Sequence, residues 1–252
     1  MKHSDCLNCN EELKGKFCSN CGQKADTHRI TISHFLMHDV LHGVRHFDKG
    51  LLFTLKEAIV RPGKAALDYI SGKRVRYYNV FYLSLLLIAL NLLLNHFYDS
   101  WIGETHTEVD QDKVSAFFLQ YVKLILFAFI PVLALNAQLL FRRFRLNWAE
   151  QLILAGINYI GILLLALFFF LFRTLTEMAV AEGFSSVMKA AFGFAMFLFP
   201  IWTYFNASRG FYSIGQFTWR IIIFYVLVIV EFTAFLFALL YFFGQRDFSV
   251  NI

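Results

Sequence analysis

The chain is poor in charge, proline and cysteine. Charged residues make up only 16% of its 252 residues, whereas hydrophobic residues make up 58%. This balance excludes an ordinary soluble domain and is typical of an integral membrane protein. Two of only three prolines, Pro131 and Pro200, fall inside long apolar stretches, where they permit helix kinks.

Motifs that would indicate an enzyme are also missing. The sequence has no Ser-His-Asp set, Gly-rich phosphate loop, paired-aspartate motif or cofactor box, so nothing in it supports hydrolase, kinase or redox chemistry. The net charge of +5 is concentrated in one region, which membrane topology explains better than nucleic-acid binding does. We therefore expect no nucleic-acid partner, and we find no internal repeat.

The four cysteines form two pairs near the start of the chain, Cys6-x-x-Cys9 and Cys18-x-x-Cys21. This spacing predicts one tetrahedral metal site, with Zn²⁺ as the expected ion, in a small ribbon over residues 1–24. Two disulfides are the alternative. The segment has no secretory leader and is expected in a reducing compartment, which favours metal.

Four thiolates leave no open coordination position, so we expect the metal to stabilise the ribbon and not to activate water. The ribbon is too short to bury a core of its own, and metal binding must therefore supply its folding free energy. A docking module for a protein partner is the expected use.

Five stretches are long and apolar enough to cross a bilayer as helices. They lie near residues 79–98, 114–140, 150–172, 187–206 and 217–243. The predicted fold class is thus an all-α integral membrane protein, with a helical bundle over 79–252 preceded by the ribbon and a cytoplasmic linker over 25–78. An oligomer is compatible with this pattern, and the sequence does not fix the number of subunits.

Charge in the loops predicts the orientation. The first connection, 99–113, carries five acidic residues and one lysine, whereas the next carries Arg142, Arg143 and Arg145. Because cytoplasmic loops are enriched in Lys and Arg, the N-terminus is predicted inside and the C-terminus in the periplasm.

The linker contains an amphipathic stretch, Ile30 to Leu55, whose apolar residues recur at helical spacing. His34, His38, His42 and His46 form a stripe on the opposite face, the arrangement of a helix lying on a membrane surface. Three interpretations of the stripe stay open: a second metal site, a pH-sensitive surface that gains charge in mild acid, and a polar face without switching.

The end of the linker leads into the first span. Arg61-Pro62-Gly63 is predicted to break the helix, residues 64–71 to form another short one, and Gly72 to end it. Lys73, Arg74 and Arg76 then precede two tyrosines, so we regard the three cations as candidate contacts for lipid headgroups.

Two ionisable residues lie well inside predicted spans, Lys123 and Glu231. Both lie at a similar distance from the outer ends of their spans, so an ion pair between them is a candidate intramembrane site. The amides Asn91, Asn136, Gln138 and Asn158 are candidates for hydrogen bonds between helices.

Several residue runs resemble a known family. They are Phe17-Cys18-Ser19-Asn20-Cys21-Gly22-Gln23, Asp48-Lys49-Gly50, Thr54, Arg61-Pro62-Gly63, Tyr69 and Gly72 to Asn79. This pattern is similar to a family of Bacteroidota membrane proteins known only as a domain of unknown function. One departure is Val80, where similar proteins tend to have proline. The resemblance implies a ribbon, this linker and several spans in a bacterial inner membrane, and it brings no activity.

Three functions follow as hypotheses. The first is a non-enzymatic scaffold that recruits a protein partner through the ribbon at the membrane surface. The second is a small transporter or permease subunit using Lys123 and Glu231, and the third is a membrane enzyme with metal on the histidine stripe.

Overall fold

The computed structural model describes residues 4–27, 29–31, 50–102, 123, 125–178 and 182–248. Within these residues the chain consists of helices and their short connections, preceded by the ribbon, whose extended pairings are isolated antiparallel bridges. The α-helices described are α1 (Leu51–Val60), α2 (Pro62–Ile70), α3 (Val80–Ile102), α4 (Ile130–Leu140), α5 (Trp148–Met178), α6 (Glu182–Ser208) and α7 (Ile214–Phe248). The all-α prediction is confirmed.

Four helices, α3, α5, α6 and α7, are long and apolar enough to cross a membrane. They coincide with four of the five predicted spans. The remaining one, 114–140, is described mainly from Ile125 onward, where an apolar helical stretch continues to Leu140. Pro131 lies in the first turn of α4, where its missing N–H costs no intrahelical hydrogen bond.

Helix α5 is the centre of the bundle. It packs against α3, α4, α6 and both short helices. In its apolar window 61% of residues are buried, against 11% in α7. Helix α7 therefore lies at the edge and presents most of its apolar surface outward, as a lipid-facing helix does.

Helices α1 and α2 form a short hairpin that packs against α5, while α2 also contacts α6. The structure places Ala58, Ala65 and Ala66 in the same hydrophobic core as the spans, and the cytoplasmic location of the linker stays a prediction. These helices, of ten and nine residues, are too short to span a membrane, so the hydropathy pattern did not reveal their packing against the spans. The predicted short second helix and its end near Gly72 are confirmed.

Close backbone approach fixes this hairpin. A Cβ on Gly63 would lie 2.2 Å from the carbonyl oxygen of Thr203 and 2.3 Å from the backbone nitrogen of Ala207 in α6. A Cβ on Gly50 would lie 2.8 Å from the backbone of Tyr77. Only glycine allows such contact between backbones, so the two glycines set how deeply the hairpin enters the bundle.

Polar side chains connect the spans as predicted. The side-chain amide of Asn91 in α3 donates to the carbonyl of Leu163 in α5 at 3.4 Å. The Thr203 hydroxyl in α6 donates to Asn158 in α5 at 2.8 Å. Such bonds satisfy polar groups in an apolar interior and fix the register of neighbouring helices.

Candidate metal centre

The four cysteine sulfurs converge on one point. All four Sγ atoms lie within 4.8 Å of one another, with Cys6 to Cys21 and Cys9 to Cys18 each at 3.5 Å. A tetrahedral site with metal–sulfur bonds of about 2.3 Å requires sulfurs about 3.8 Å apart, so these thiols can hold one metal ion. They are free thiols, and a disulfide would need about 2.05 Å.

The two cysteine pairs occupy equivalent turns. The backbone N–H of Cys6 donates to Glu11 at 2.8 Å, and that of Cys18 donates to Gln23 at 2.8 Å. Asn10 and Gly22 follow the second cysteine of each pair and have φ angles of 61° and 74°. Glycine and asparagine tolerate this left-handed conformation better than other residues.

The ribbon is thus an internal repeat of two turns. Contrary to the expectation that the chain has no internal repeat, Cys-x-Asn-Cys occurs at Cys6 to Cys9 and again at Cys18 to Cys21. A repeat this short has few identical positions. The shared asparagine and the residue after the second cysteine are the signals that reveal it.

Hydrogen bonding around the thiols favours the ionised form of Cys21. Burial raises the pKa of Cys21, but hydrogen bonds from the Asn8 side chain and the Gln23 backbone outweigh burial and lower it to about 7. Since the thiolate is the form that binds metal, the lowered pKa favours metal coordination by Cys21 near neutral pH. With four protein ligands, the centre has no position left for a substrate or water.

The first turn of the ribbon lies against the end of the hairpin. Leu7 packs on Gly72, where a Cβ would lie 2.6 Å from the Leu7 Cδ1 atom, and Gly72 has a φ of 109°. The Arg76 guanidinium donates to the side-chain oxygen of Asn8 at 3.0 Å and to its carbonyl at 2.8 Å. One face of the ribbon is therefore occupied by the membrane domain.

A second attachment follows the ribbon. Both carboxylate oxygens of Glu150 accept 2.7 Å hydrogen bonds from Arg29. Ile30 is fully buried, and its carbonyl accepts a 2.8 Å hydrogen bond from Asn147. The hydrogen bonds to Glu150, and then the negative charge of Glu150, raise the pKa of Arg29 above its ordinary value.

The cations predicted to contact lipid headgroups have protein partners. Lys73 forms an ion pair of 2.6 Å with Asp68, and Arg76 binds Asn8 of the ribbon as described above. Arg74 also has an interaction partner. These contacts give the three cations a structural role at the base of the ribbon, and the lipid contact remains a prediction.

The other predicted site residues are the histidine stripe, which the structure does not describe, and the intramembrane pair of Lys123 and Glu231. His34, His38, His42 and His46 lie outside the described residues. Glu231 accepts a 2.7 Å hydrogen bond from the side-chain amide of Asn136. Within the described part of the chain, no ion pair joins Lys123 to Glu231.

An exposed concavity on the ribbon was missed by the sequence analysis. Its volume is about 650 Å³, and its lining includes Phe17 with Lys14, Lys16 and Lys24. The Phe17 side chain is 61% exposed. An aromatic residue directly before the second cysteine pair, with lysines on both sides, is the sequence signal for this surface.

Taken together, the apolar helices and the cysteine centre define a multi-pass helical membrane protein with an N-terminal group of four cysteines able to bind a metal ion. Residues 48–90 match the model of a family described as "Protein of unknown function (DUF3667)". The match contains the hairpin α1–α2 and the start of α3, and its description assigns no activity. No curated protein and no solved structure matches the chain.

The matched segment accounts for part of the resemblance seen in the sequence. Gly50, Thr54 and Arg61-Pro62-Gly63 fall within it, and the structure gives each a packing or hydrogen-bonding role. The Thr54 hydroxyl, for example, accepts from the backbone N–H of Tyr78 at 2.7 Å and donates to the Gly50 carbonyl at 2.7 Å. The ribbon lies outside the match, which also carries no information on the organism.

Proposed function

We propose that the protein is a non-enzymatic scaffold of a bacterial inner membrane that recruits a protein partner through its ribbon. The observation that carries this proposal is the concavity around Phe17. Contacts with Gly72 and Arg76 hold the first turn of the ribbon against the membrane domain, while Phe17 stays exposed to solvent. A large exposed aromatic residue on a small rigid module is typical of a protein-binding surface.

The charges around Phe17 indicate the chemistry of the partner. Lys14, Lys16 and Lys24 line the concavity together with one acidic residue, Asp26. Lys14 also approaches Glu12 at 3.9 Å, but both side chains are more than 70% exposed, so this pair neutralises little. A partner segment with an apolar side chain flanked by carboxylates is complementary to this surface.

We assign Zn²⁺ to the four cysteines and the ribbon to the cytoplasm. Four thiolates at tetrahedral spacing are a ligand set that Zn²⁺ favours in structural sites. Arginines of the α4–α5 connection lie at the same end of the bundle as the ribbon, since Arg29 also donates to the Arg145 carbonyl at 2.7 Å. An excess of cations at this end supports a cytoplasmic location.

The test is site-specific photocrosslinking in living cells with the full-length protein. A photoreactive phenylalanine analogue at Phe17 is expected to crosslink to one or a few discrete proteins. The same analogue at Phe211, which is 42% exposed in the α6–α7 connection, is the matched control. The double variant K16E/K24E is expected to abolish the Phe17 crosslinks while the amount of folded protein stays unchanged.

Two outcomes contradict the scaffold proposal. One is a Phe17 crosslink pattern identical to that at Phe211, which would mean that the ribbon selects no partner. The other is a set of crosslinks that persists in K16E/K24E, since the proposed surface depends on its positive charge.

A second candidate function is a transporter or permease subunit. The observation that favours it is the Asn136–Glu231 hydrogen bond between α4 and α7, because an ionisable residue within a membrane span commonly marks a solute or proton pathway. A purely structural interhelical bond is the competing explanation, and mutational coupling and transport measurements on Glu231 variants separate the two.

A further inference from the structure

A basic groove of about 440 Å³ lies between α2 and α6, away from the ribbon concavity. Six residues in its lining determine its chemistry: Val60, Arg61, Lys64, Trp202, Asn206 and Arg209. No acidic residue lines this groove in the described part of the chain. The groove is therefore complementary to an anion with an apolar portion.

The groove lies at the level where the spans begin. Val80, the first residue of α3, contacts Gly156 of α5, and a Cβ on Gly156 would lie 2.7 Å from the Val80 side chain. Ala58, near the tip of the hairpin, approaches Gly161 of the same helix. Gly161 is about 8 Å further along α5 than Gly156, at 1.5 Å per residue. The tip of the hairpin is thus about one and a half helical turns deeper than the start of α3. Arg209, by contrast, directly follows Ser208, the last residue of the apolar stretch of α6, so the cationic end of the groove lies at the edge of that span.

Two cations in the groove are free for a ligand. Arg61 is held by Glu57, whose side chain is only 5% exposed, through an ion pair of 2.5 Å. Lys64 is exposed, and Arg209 is exposed with its guanidinium 5.3 Å from the centre of the Phe205 ring. Within the described residues neither Lys64 nor Arg209 has a carboxylate partner.

The apolar part of the groove is open to the outside of the bundle. Val60 is 49% exposed and Trp202 is 40% exposed. The indole N–H of Trp202 donates to the Ile59 carbonyl at 3.2 Å, which holds the ring across the tip of the hairpin. Tryptophan is enriched at the interface because its ring tolerates both hydrocarbon and headgroups.

We infer that this groove binds an anionic phospholipid, with the headgroup phosphate between Lys64 and Arg209 and the upper acyl chain against Trp202 and Val60. A lipid supplies both the anion and the adjacent hydrocarbon, and it reaches this depth by lateral diffusion. Free phosphate offers only the anion. The hairpin thereby forms part of a binding site for one class of lipid, the anionic phospholipids.

Trp202 serves as the reporter in the test. The full-length protein is reconstituted into phosphatidylcholine nanodiscs that contain the same fraction of either dibrominated phosphatidylglycerol or dibrominated phosphatidylcholine. Bromine quenches tryptophan fluorescence at short range. Phosphatidylglycerol is expected to quench more strongly, with an apparent affinity about tenfold above that of phosphatidylcholine, given the contribution of two interfacial cations. W202F is expected to remove this excess quenching.

The matched pair of variants separates a groove from general surface charge. K64Q/R209Q removes two cations from the groove, and R142Q/R145Q removes two exposed cations from the same end of the bundle. The excess quenching is expected to disappear in K64Q/R209Q and to persist in R142Q/R145Q. Equal loss in both variants, or retention in both, would overturn the lipid site.

Two further results would also overturn it. Excess quenching that survives in W202F would come from another tryptophan and place the lipid elsewhere. Loss of the excess on adding inorganic phosphate, but not on adding chloride at equal ionic strength, would identify a soluble phosphate as the occupant. Persistence in phosphate is the result expected for a lipid.

Discussion

Arg29 and Glu150 form a bidentate ion pair in which both hydrogen bonds are 2.7 Å long. This pair connects the segment after the ribbon to the first turn of α5. The Glu150 side chain is only 2% exposed, whereas that of Arg29 is 60% exposed. Glu150 also accepts from the backbone N–H of Asn147, and the Asn147 side chain accepts from the backbone N–H of Glu150. One carboxylate therefore caps α5 and holds the segment that carries the ribbon.

Removing the charge of Glu150 is expected to loosen the ribbon without unfolding α5. Glutamine still serves in a capping box, so E150Q retains the cap and loses the ion pair with Arg29. We expect the attachment of this segment to weaken by about 1 kcal/mol. The loss is smaller than for a fully buried ion pair because Arg29 is largely in solvent. In hydrogen–deuterium exchange, amides of residues 23–31 should exchange about fivefold faster.

R29Q should give the same acceleration, and the double variant should add nothing further. The control is K14Q, which removes a partner from the exposed Lys14–Glu12 contact at 3.9 Å and is expected to change nothing. Additive effects of R29Q and E150Q would show that the two side chains act independently.

Gly63 is expected to be the least replaceable glycine of the hairpin. In G63A the new methyl group would meet the α6 backbone at Thr203 and Ala207, and backbone atoms cannot move aside as side chains do. The free energy of unfolding should fall by about 3 kcal/mol or more, which would be measured as a lower unfolding temperature in detergent. G193A is the matched control within α6, since nothing lies within 4 Å of its Cβ position. Equal stability of the two variants would contradict the close approach.

The hydrogen bond between Asn136 and Glu231 is expected to show as energetic coupling. In a double-mutant cycle with N136A and E231A, the coupling should be about 1 kcal/mol, typical of polar pairs between membrane helices. The cycle with K123A and E231A should be additive within about 0.5 kcal/mol, because no ion pair joins them in the described part of the chain. Strong coupling of Lys123 to Glu231 would restore the predicted pair.

The same carboxylate distinguishes the two candidate functions. A scaffold should tolerate E231Q, which can keep the hydrogen bond with Asn136. A transporter that uses the charge of Glu231 should lose uptake while its fold is retained. Proteoliposome uptake of labelled solutes, compared between wild type and E231Q, is the measurement.

The metal centre should hold one Zn²⁺ per chain. C9S and C21S are each expected to lose the metal, whereas H38A is expected to keep it, as measured by inductively coupled plasma mass spectrometry of reduced protein. Because only thiolates bind the ion, metal content should fall as the pH is lowered. A second metal per chain that disappears in H38A would instead support a site on the histidine stripe.

The orientation can be tested at the C-terminus. With five spans and a cytoplasmic ribbon, alkaline phosphatase fused after Ile252 should be active and a green fluorescent protein fused there should be dark. The reverse would mean that the stretch ending at Leu140 does not cross the membrane, or that the ribbon faces outward. A fluorescent fusion to the N-terminus distinguishes these two explanations.

Much of the architecture could be predicted because the signals are local. A span such as Trp148–Leu175 is a continuous apolar run, and the cysteine spacing alone specifies four ligands for one ion. The capping box at Asn147 and Glu150 is also a local signal, readable from the spacing of the two residues. Local sequence carries such features because neighbouring residues make the relevant hydrogen bonds.

The packing of the hairpin against α5 and α6 could not be predicted, because it depends on distant residues, although its second helix was predicted. Helices α1 and α2 are short and carry Glu57 and Arg61, so their composition resembles that of a cytoplasmic linker. The ion pair between those residues and the close approach of Gly63 to α6 accompany the packing of the hairpin against the spans. The contacts of Arg76 and Glu231 could not be predicted for the same reason, since each is bound by a residue far away in the chain, Asn8 and Asn136.

The sequence by itself determined the apolar spans, the four thiol ligands and the uneven charge of the loops, because each depends on composition or short spacing. Only the tertiary structure decided which side chains meet. It placed Asn8 on Arg76, Arg29 on Glu150 and Asn136 on Glu231, and it left Phe17, Lys64 and Arg209 exposed. A polar group in or near a membrane binds whichever partner the packing brings within about 3 Å, and packing is a property of the whole bundle.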